Sequence, residues 1–476
     1  MPRIVVVGAG IAGLAAALRI AEEAGRIDLV VCEAGSRPGG VIATERAGEG
    51  GEYLIEAGPD SFLTEKPEAL RLCECLGVAD RLIGVQRDAA RIYVVRRGRL
   101  VPLPDGFRLV APTRLVPWLR SPLFSWSGKL RMAMDYVLPR GRRGADESVA
   151  SFVIRRFGRE AFDRVAQPMI GTIYTADAAT LSLAATMPRL AEMERRYGSV
   201  IRGLGRAHAA GGQAPSAPAR LGTFAALSDG MQALVDAAAA RLPEGALRLR
   251  TAVAAVARAR SGSGYSVSLA GGAPLDADAA VIAVDAPAAG RLLGGLDRSL
   301  ASRLNEISSA SSASVTLAYR RSEVRHPLDG AGFVVPSVER RPILAASFSS
   351  VKFAGRAPAD RALIRVFLGG ALAPELVGLD DERLVAIVRA EMEALLGAAA
   401  SPHFVRVTRH RDAMPQYRVG HLERVAGIEG DLTSHPGLAL AGAAYRGIGI
   451  SDCIRSGEAA AQRVLAHLAA GRAVAY

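Results

Sequence analysis

Ile4-Val5-Val6-Val7-Gly8-Ala9-Gly10-Ile11-Ala12-Gly13 decides the fold of this chain. The apolar run at its start, rich in β-branched residues, reads as a buried strand. Gly8, Gly10 and Gly13 form a G-x-G-x-x-G turn, and an alanine-rich helix pattern follows from Leu14 to about Ala24. A second strand, Ile27 to Cys32, ends at Glu33. Gly8 permits the tight turn, Gly10 lets backbone approach a pyrophosphate, and Gly13 lets helix and strand pack closely. The helix N-terminus presents free N–H groups and a partial positive charge to phosphates, and Ile11 and Ala12, within the turn, are expected to contact the cofactor with the three glycines. Glu33 stands where a carboxylate accepts hydrogen bonds from a ribose diol, which argues against a 2′-phosphate there. Strand, turn, helix, strand and acid, in that order, predict an α/β dinucleotide-binding domain.

Working outward, Ala34-Gly35-Ser36-Arg37-Pro38-Gly39-Gly40-Val41 sets a basic residue and a glycine pair where backbone makes a second approach to the phosphates. An ordinary glycine turn is the alternative. Glu56-Ala57-Gly58-Pro59-Asp60-Ser61-Phe62 is turn-rich and brings more backbone to the cofactor. Far along the chain, Gly437 to Leu440 reads as a strand running into a turn rich in glycine (Gly442, Gly447, Gly449), with a helix from Ser451.

The glycine turn, the Gly39-Gly40 pair and the Glu-x-Gly-Pro segment together resemble the flavin-dependent amine oxidase superfamily. Within it, Glu56 to Leu63, the Pro415-Gln416-Tyr417-Arg418-Val419-Gly420-His421 string and Gly447 to Ile454 are similar to the protoporphyrinogen oxidases. Val41, where many amine oxidases carry a second arginine, fits that branch. The resemblance spans Ile4 to about Leu465. It implies FAD rather than NAD, bound on a Rossmann-like domain of p-hydroxybenzoate hydroxylase and monoamine oxidase topology. It adds cofactor contacts at Gly58, Pro59, Asp60, Ser61, at the backbone of Val253 (by chemistry alone a core valine), and at Gly442, Gly449, Ile450 and Asp452. Donors at the start of the last helix then face the flavin pyrimidine edge and stabilise the reduced anion.

The chain is 476 residues long, roughly three domains' worth. Expected divisions are 1–86, 222–290 and 414–476 for the cofactor domain, and 291–413 for a substrate sheet. Residues 87–221 are expected to be mostly helical, with 87–103 lent to the sheet. Strands are predicted at Ser314–Tyr319, Gly332–Val335, Ile343–Phe348 and Leu363–Leu368, at Leu247–Ala257 and at Ala279–Val284, the last followed by a turn at Pro287. Asp146 is expected to cap a helix, Gln167 to Tyr174 to interrupt it, and 203–222 to form a loop.

Half the residues are hydrophobic, yet no run of about 18 uninterrupted apolar residues is present, so no membrane-spanning helix is expected. The motif begins at Ile4, leaving no room for a leader, and a cytoplasmic protein is expected. The formal charge is +12. Residues 87–143 hold thirteen basic residues against three aspartates, a local excess of +10. Trp118 and Trp126, the chain's two tryptophans, fall there among Arg108, Arg114 and Arg120. That mixture suits a peripheral contact with an anionic membrane face, with a solvated basic face as the plain alternative. No nucleic-acid module is visible. Cys32, Cys73, Cys75 and Cys453 read as buried thiols, and the scattered histidines form no metal-binding pair.

The resemblance further implies oxidation of protoporphyrinogen IX to protoporphyrin IX late in haem synthesis. Flavin accepts hydride from the macrocycle and passes electrons to oxygen, giving peroxide, and six electrons leave in three such steps. Substrate contacts are implied at Arg91, which would pair a propionate, and at Gly171, Val334, Ser347 and Phe367. Ser347 departs from the leucine common in the family. No acid–base pair is assigned, since the cofactor carries the chemistry. Coproporphyrinogen III, with four propionates, stays open as substrate. So do another flavin oxidase or desaturase and a non-enzymatic module of the GDP-dissociation-inhibitor type. Lys352, in a turn-like stretch, counts against an amine oxidase. The oligomeric state is left as monomer or homodimer.

Overall fold

The computed structural model describes the chain apart from residues 24–26, 109, 142–145, 210–220, 261 and 475–476. Its first strand, Arg3–Val7, lies at the centre of a five-stranded parallel sheet. The order across that sheet is Leu247–Arg248, Asp28–Cys32, Arg3–Val7, Ala279–Ile282, Leu438–Leu440. Ile4 to Val7 are buried, as a parallel sheet covered on both faces requires. One face packs against helices Ile11–Ala21, Gln232–Ala240 and Ile450–Val474. The other packs against an antiparallel meander of Val253–Arg258, Tyr265–Leu269 and Leu275–Ala277, with helices Ala286–Leu293, Arg298–Asn305 and His421–Asp431.

Several local expectations are corrected. The first helix begins at Ile11 rather than Leu14, because it starts directly on the glycine turn. The strand expected over Leu247–Ala257 is two strands in two sheets, separated by Arg250 at φ 51°. Pro287 opens a helix rather than a turn, with Asp285 accepting from the Ala288 N–H at 2.8 Å. A proline costs nothing in a first helical turn, where its N–H would be unpaired anyway.

The second sheet has seven strands, ordered Phe404–Pro415, Ser309–Arg320, Arg361–Gly369, Ala345–Phe348, Gly332–Val334, Ile92–Arg96 and Arg99–Pro102. It is antiparallel except for the parallel pair of Gly332–Val334 with Ile92–Arg96, which makes it mixed. Period-two alternation divides its residues. Tyr93, Phe333, Ala346, Ile364 and Val366 face a core with helix Asp381–Leu396. Val94, Val334, Ala345 and Phe367 face the helical part of the chain.

That helical part also departs from expectation. Ser148, not Asp146, caps helix Val149–Phe157, accepting from the Ser151 N–H. Asp146 instead receives the Ser182 hydroxyl at 2.9 Å and the Gly420 N–H at 2.9 Å. Residues Gln167–Tyr174 are helical rather than an interruption, entered through a π-turn at Phe162–Ala166. Pro168 lacks an N–H and would crowd the carbonyl four residues back, and the wider turn makes room for it. Helix Val200–Ala209 replaces the start of the expected loop, whose residues 210–220 lie outside the described chain. Arg156 and Asp135 are fully buried together, Nε to Oδ1 at 2.6 Å.

The basic stretch is only partly a surface. Trp118 is buried, contrary to the expected interfacial role, whereas Trp126 is 74% exposed. Lys129 reaches the Leu119 carbonyl at 2.6 Å, and Arg131 donates to carbonyls of Ile154, Arg155 and Arg156. Arg142, Arg143 and the Arg108 side chain lie outside the description. Cys75 is exposed, unlike the other three cysteines. No helix among the described residues is long and apolar enough to cross a membrane. Among them, no group of three His, Cys, Asp or Glu could hold a metal ion.

Candidate active site

The site begins where the parallel strands end. Gly8 has φ 98°, and a Cβ on Gly13 would lie 1.9 Å from the Gly8 carbonyl oxygen, so both turns demand glycine. Among the described residues, none beyond its own chain neighbours has an atom within 4 Å of the position a Gly10 Cβ would take. No side chain caps the helix that starts at Ile11, Ala12 and Gly13, which leaves its first N–H groups for an anion. The Gly39 N–H donates to the Ala9 carbonyl at 2.8 Å, and Gly40 lies against the Gly10 Cα. The Glu33 carboxylate accepts from the Ala9 N–H at 2.8 Å and the Gly35 N–H at 2.7 Å, so it also ties the two loops together. Ala34 is exposed between them. Hydrogen bonds from Arg250 to Gly35 and from Thr251 to Glu33 bring the chain entering at Val253 alongside. Arg37 also braces the loop. Its guanidinium donates to the carbonyls of Pro38, Gly40 and Ile42 and to Gln232, so it shapes the glycine loop.

The C-terminal glycine turn is braced by the Pro-Gln-Tyr-x-x-Gly-His string. Gln416 donates to the Tyr174 carbonyl at 3.1 Å. The Tyr417 hydroxyl donates to the Ala443 carbonyl at 2.6 Å and accepts from the Gly447 N–H at 2.8 Å. His421 stacks on the Tyr417 ring at 3.9 Å and meets the Tyr445 carbonyl at 2.9 Å. Burial pushes its imidazole down to about 4. The Gly442 N–H donates to Ser456, and open space faces its missing Cβ. Past exposed Gly449, Ile450 opens the helix, and Asp452 in its first turn pairs with Lys66 and Arg455. Farther along, a Cβ on Gly457 would lie 2.0 Å from the Ala12 carbonyl oxygen, so the first and last helices touch backbone to backbone.

Between these two cradles runs the segment from Glu56 to Ser61. A Cβ on Gly58 would lie 1.9 Å from the Val41 carbonyl oxygen, which seats the segment on the glycine-pair loop. Pro59 and Asp60 follow. Lys352 Nζ is 2.8 Å from both Asp60 carboxylate oxygens, and the Ser61 hydroxyl donates to Asp60 at 2.7 Å. Burial works against the Asp60 anion, but Lys352, Ser61 and Arg365 outweigh it and hold the carboxyl at about 2. Buried Arg365 donates to the Gly58 carbonyl at 2.7 Å and to the Ala57 carbonyl at 2.5 Å. His410 reaches the Ala57 carbonyl at 2.8 Å. Sequence reasoning missed Arg365 and His410 and set Lys352 aside as turn-like. It lies in the short helix Ser349–Lys352, at the cofactor segment. The one available signal was its rarity, as one of three lysines in the chain.

The proposed substrate residues share the sheet face that carries Arg365. Val334 pairs with Ala345 and Ala345 with Phe367, while Gly332, Ser347 and Arg365 form the neighbouring row. Val334 is buried and Phe367 half-buried against the cluster that contains Ile170, next to Gly171. The missing Cβ of Gly171 points at Gln167 Nε2 (2.8 Å) and the Ala176 carbonyl (3.1 Å). The contact that excludes a side chain there is therefore within the helix end. Arg91 stands apart at the sheet margin. It is exposed and pairs with Asp329 at 2.7 Å, and the Tyr93 hydroxyl meets the same carboxylate at 2.7 Å.

A glycine cradle drawn from both parts of a parallel sheet, roofed by a second, mixed sheet, is the build of a dinucleotide-dependent oxidoreductase. The open space at Gly10 and Gly442 and the uncapped helix start fit such a cofactor. The chain belongs to the family of flavin containing amine oxidoreductases, whose model matches residues 11–465. Its cofactor is FAD. The chain is 34% identical over 470 residues to the coproporphyrinogen III oxidase of Bacillus subtilis (strain 168), covering 98% of each. It is 30% identical to the chloroplastic protoporphyrinogen oxidase of Nicotiana tabacum, over 98% of this chain and 85% of that one. A crystal structure from Exiguobacterium sp. 255-15, provisionally named a protoporphyrinogen oxidase, superposes with TM-score 0.86 at 28% identity, covering 98% and 99% of the two chains.

Proposed function

We propose that this protein oxidises a porphyrinogen to its porphyrin with oxygen as acceptor, and that coproporphyrinogen III is the preferred substrate. The observation that carries the reading is the match to a coproporphyrinogen III oxidase over 98% of both chains. It reverses the order in which the sequence ranked the two porphyrinogens. FAD, when bound, supplies a hydride acceptor and returns the electrons to oxygen. The protein's own part is placement and exclusion of water. Val334 and Phe367 offer an apolar face to the macrocycle, Ser347 leaves room beside it, and the Gly171 helix closes the opposite side. Arg91 offers a fork to a propionate in exchange for Asp329. Gly8, Gly10, Ile11, Ala12 and Gly13 take the pyrophosphate, and Glu33 takes the ribose. The test is aerobic turnover of FAD-loaded protein offered coproporphyrinogen III and protoporphyrinogen IX separately, read by porphyrin fluorescence. Faster turnover of the first supports the reading. Preference for the second, favoured by the apolar pair Val334 and Phe367 and by the tobacco relative, reassigns the substrate. Activity on neither overturns it.

The reading includes a peripheral contact with a membrane face. Helices Leu115–Arg120 and Trp126–Ala133 present exposed Leu115, Val116, Leu119, Trp126 and Leu130, with exposed Arg114 and Arg120 beside them. Apolar side chains flanked by cations suit an anionic headgroup layer.

A further inference from the structure

The roof sheet puts an unusual group of charges on the cofactor segment. Lys352 and Asp60 cancel in a close pair. Arg356 lies 3.8 Å from Glu56 and donates to the carbonyls of Leu227 and Ser228. Arg365 differs. Its fork is spent on the neutral carbonyls of Ala57 and Gly58 and the Ser314 hydroxyl, and among the described residues none of its hydrogen bonds goes to a carboxylate. An arginine stays charged when buried, and Asp60 and Glu56 act on this one only through space while each is paired to another cation. The carbonyls it grips belong to the segment that rests on Val41, beside the Gly39–Gly40 and Gly10 turns. Three cations, Lys352, Arg356 and Arg365, thus stand against two carboxylates, Asp60 and Glu56, and one positive charge is left over on this segment.

We propose that Arg365 is a positioning residue that gives this cluster its surplus positive charge, and that this charge favours the reduced state of the bound flavin, with Lys352 offsetting the charge of Asp60. Two electrons and one proton entering the ring as hydride add one negative charge, which a fixed cation across the segment Ala57–Gly58 stabilises. The same fork fixes the height of that segment beneath the roof, so loss of shape and loss of charge are separable. The inference rests on the flavin assignment and not on which porphyrinogen is oxidised.

The experiment is dye-equilibrated photoreduction of FAD-loaded protein without any porphyrinogen, together with sulfite titration of the flavin spectrum. Arg365→Met lowers the midpoint potential and weakens sulfite binding by about tenfold or more. Arg365→Lys keeps the charge, holds the potential near that of the native protein and loses FAD faster on dilution. Lys352→Met frees Asp60 and lowers the potential, and Lys352→Met with Asp60→Asn restores it. A native potential in Arg365→Met overturns the proposal, as does Arg365→Lys falling as far as Arg365→Met. Where Arg365→Met yields no FAD-loaded protein, the Lys352 series decides: an unchanged potential in Lys352→Met overturns the proposal. Failure to oxidise either porphyrinogen leaves these readings intact and counts against the proposed function alone.

Discussion

At Arg91, one guanidinium serves two possible anions. It is exposed and already paired with Asp329, which Tyr93 also holds. If a propionate takes that fork, Arg91→Ala raises KM for the preferred porphyrinogen about tenfold with kcat little changed. Asp329→Asn removes the competing anion and lowers KM. An unchanged KM in Arg91→Ala excludes Arg91 from the binding site. His421 carries a different expectation, of stability rather than catalysis. Its imidazole is depressed from 6.5 to about 4 by burial, so the unfolded chain takes up a proton first as pH falls. Its contribution is fully present above pH 6.5 and is lost progressively down to about 4, a penalty of up to about 3 kcal/mol for this one group. Tm measured against pH falls through that window in the native protein, and His421→Gln flattens the fall.

At the scale of elements, what was legible depended on whether a feature is written locally. Gly8, Gly10, Gly13 and Glu33 sit in one short stretch and act on each other there. The strands at Gly332, Ala345 and Arg361 show their alternation plainly. Arg250 did not announce its turn, because a residue other than glycine adopts φ 51° there and reroutes the chain from one sheet to another. Trp118 and Trp126 carry the same chemistry but opposite exposure, since packing of a six-residue helix decides which face is wet. The grip of Lys352 on Asp60 joins residues 292 apart in the chain, with no shared motif to reveal it. The contact of the first and last helices at Gly457 was equally hidden, and it gives a direct test. Gly457→Ala places a methyl group where only 2.0 Å separates it from the Ala12 oxygen. That overpacking costs about 2 kcal/mol, read as a lower Tm and faster FAD loss, because Ala12 belongs to the phosphate-facing helix start.

At the scale of the whole molecule, the exposed helices and the cofactor site are separate regions of one chain, and their effects are separable. Trp126→Ser with Leu130→Ser reduces co-sedimentation with anionic vesicles about tenfold while turnover in solution is kept. Arg114→Ser with Arg120→Ser weakens the same binding chiefly at low salt. Vesicle binding untouched by either pair removes the membrane contact from the reading. The strand order of the parallel sheet carries one more consequence. Arg3–Val7 and Leu438–Leu440 are separated by a single strand, Ala279–Ile282, although they are made at opposite times. A growing chain therefore holds a half-built cradle through most of its synthesis, with no partner for the sheet's outer edge. A chain stalled before Leu438 lacks both that edge strand and the glycine turn at Gly442 that follows it.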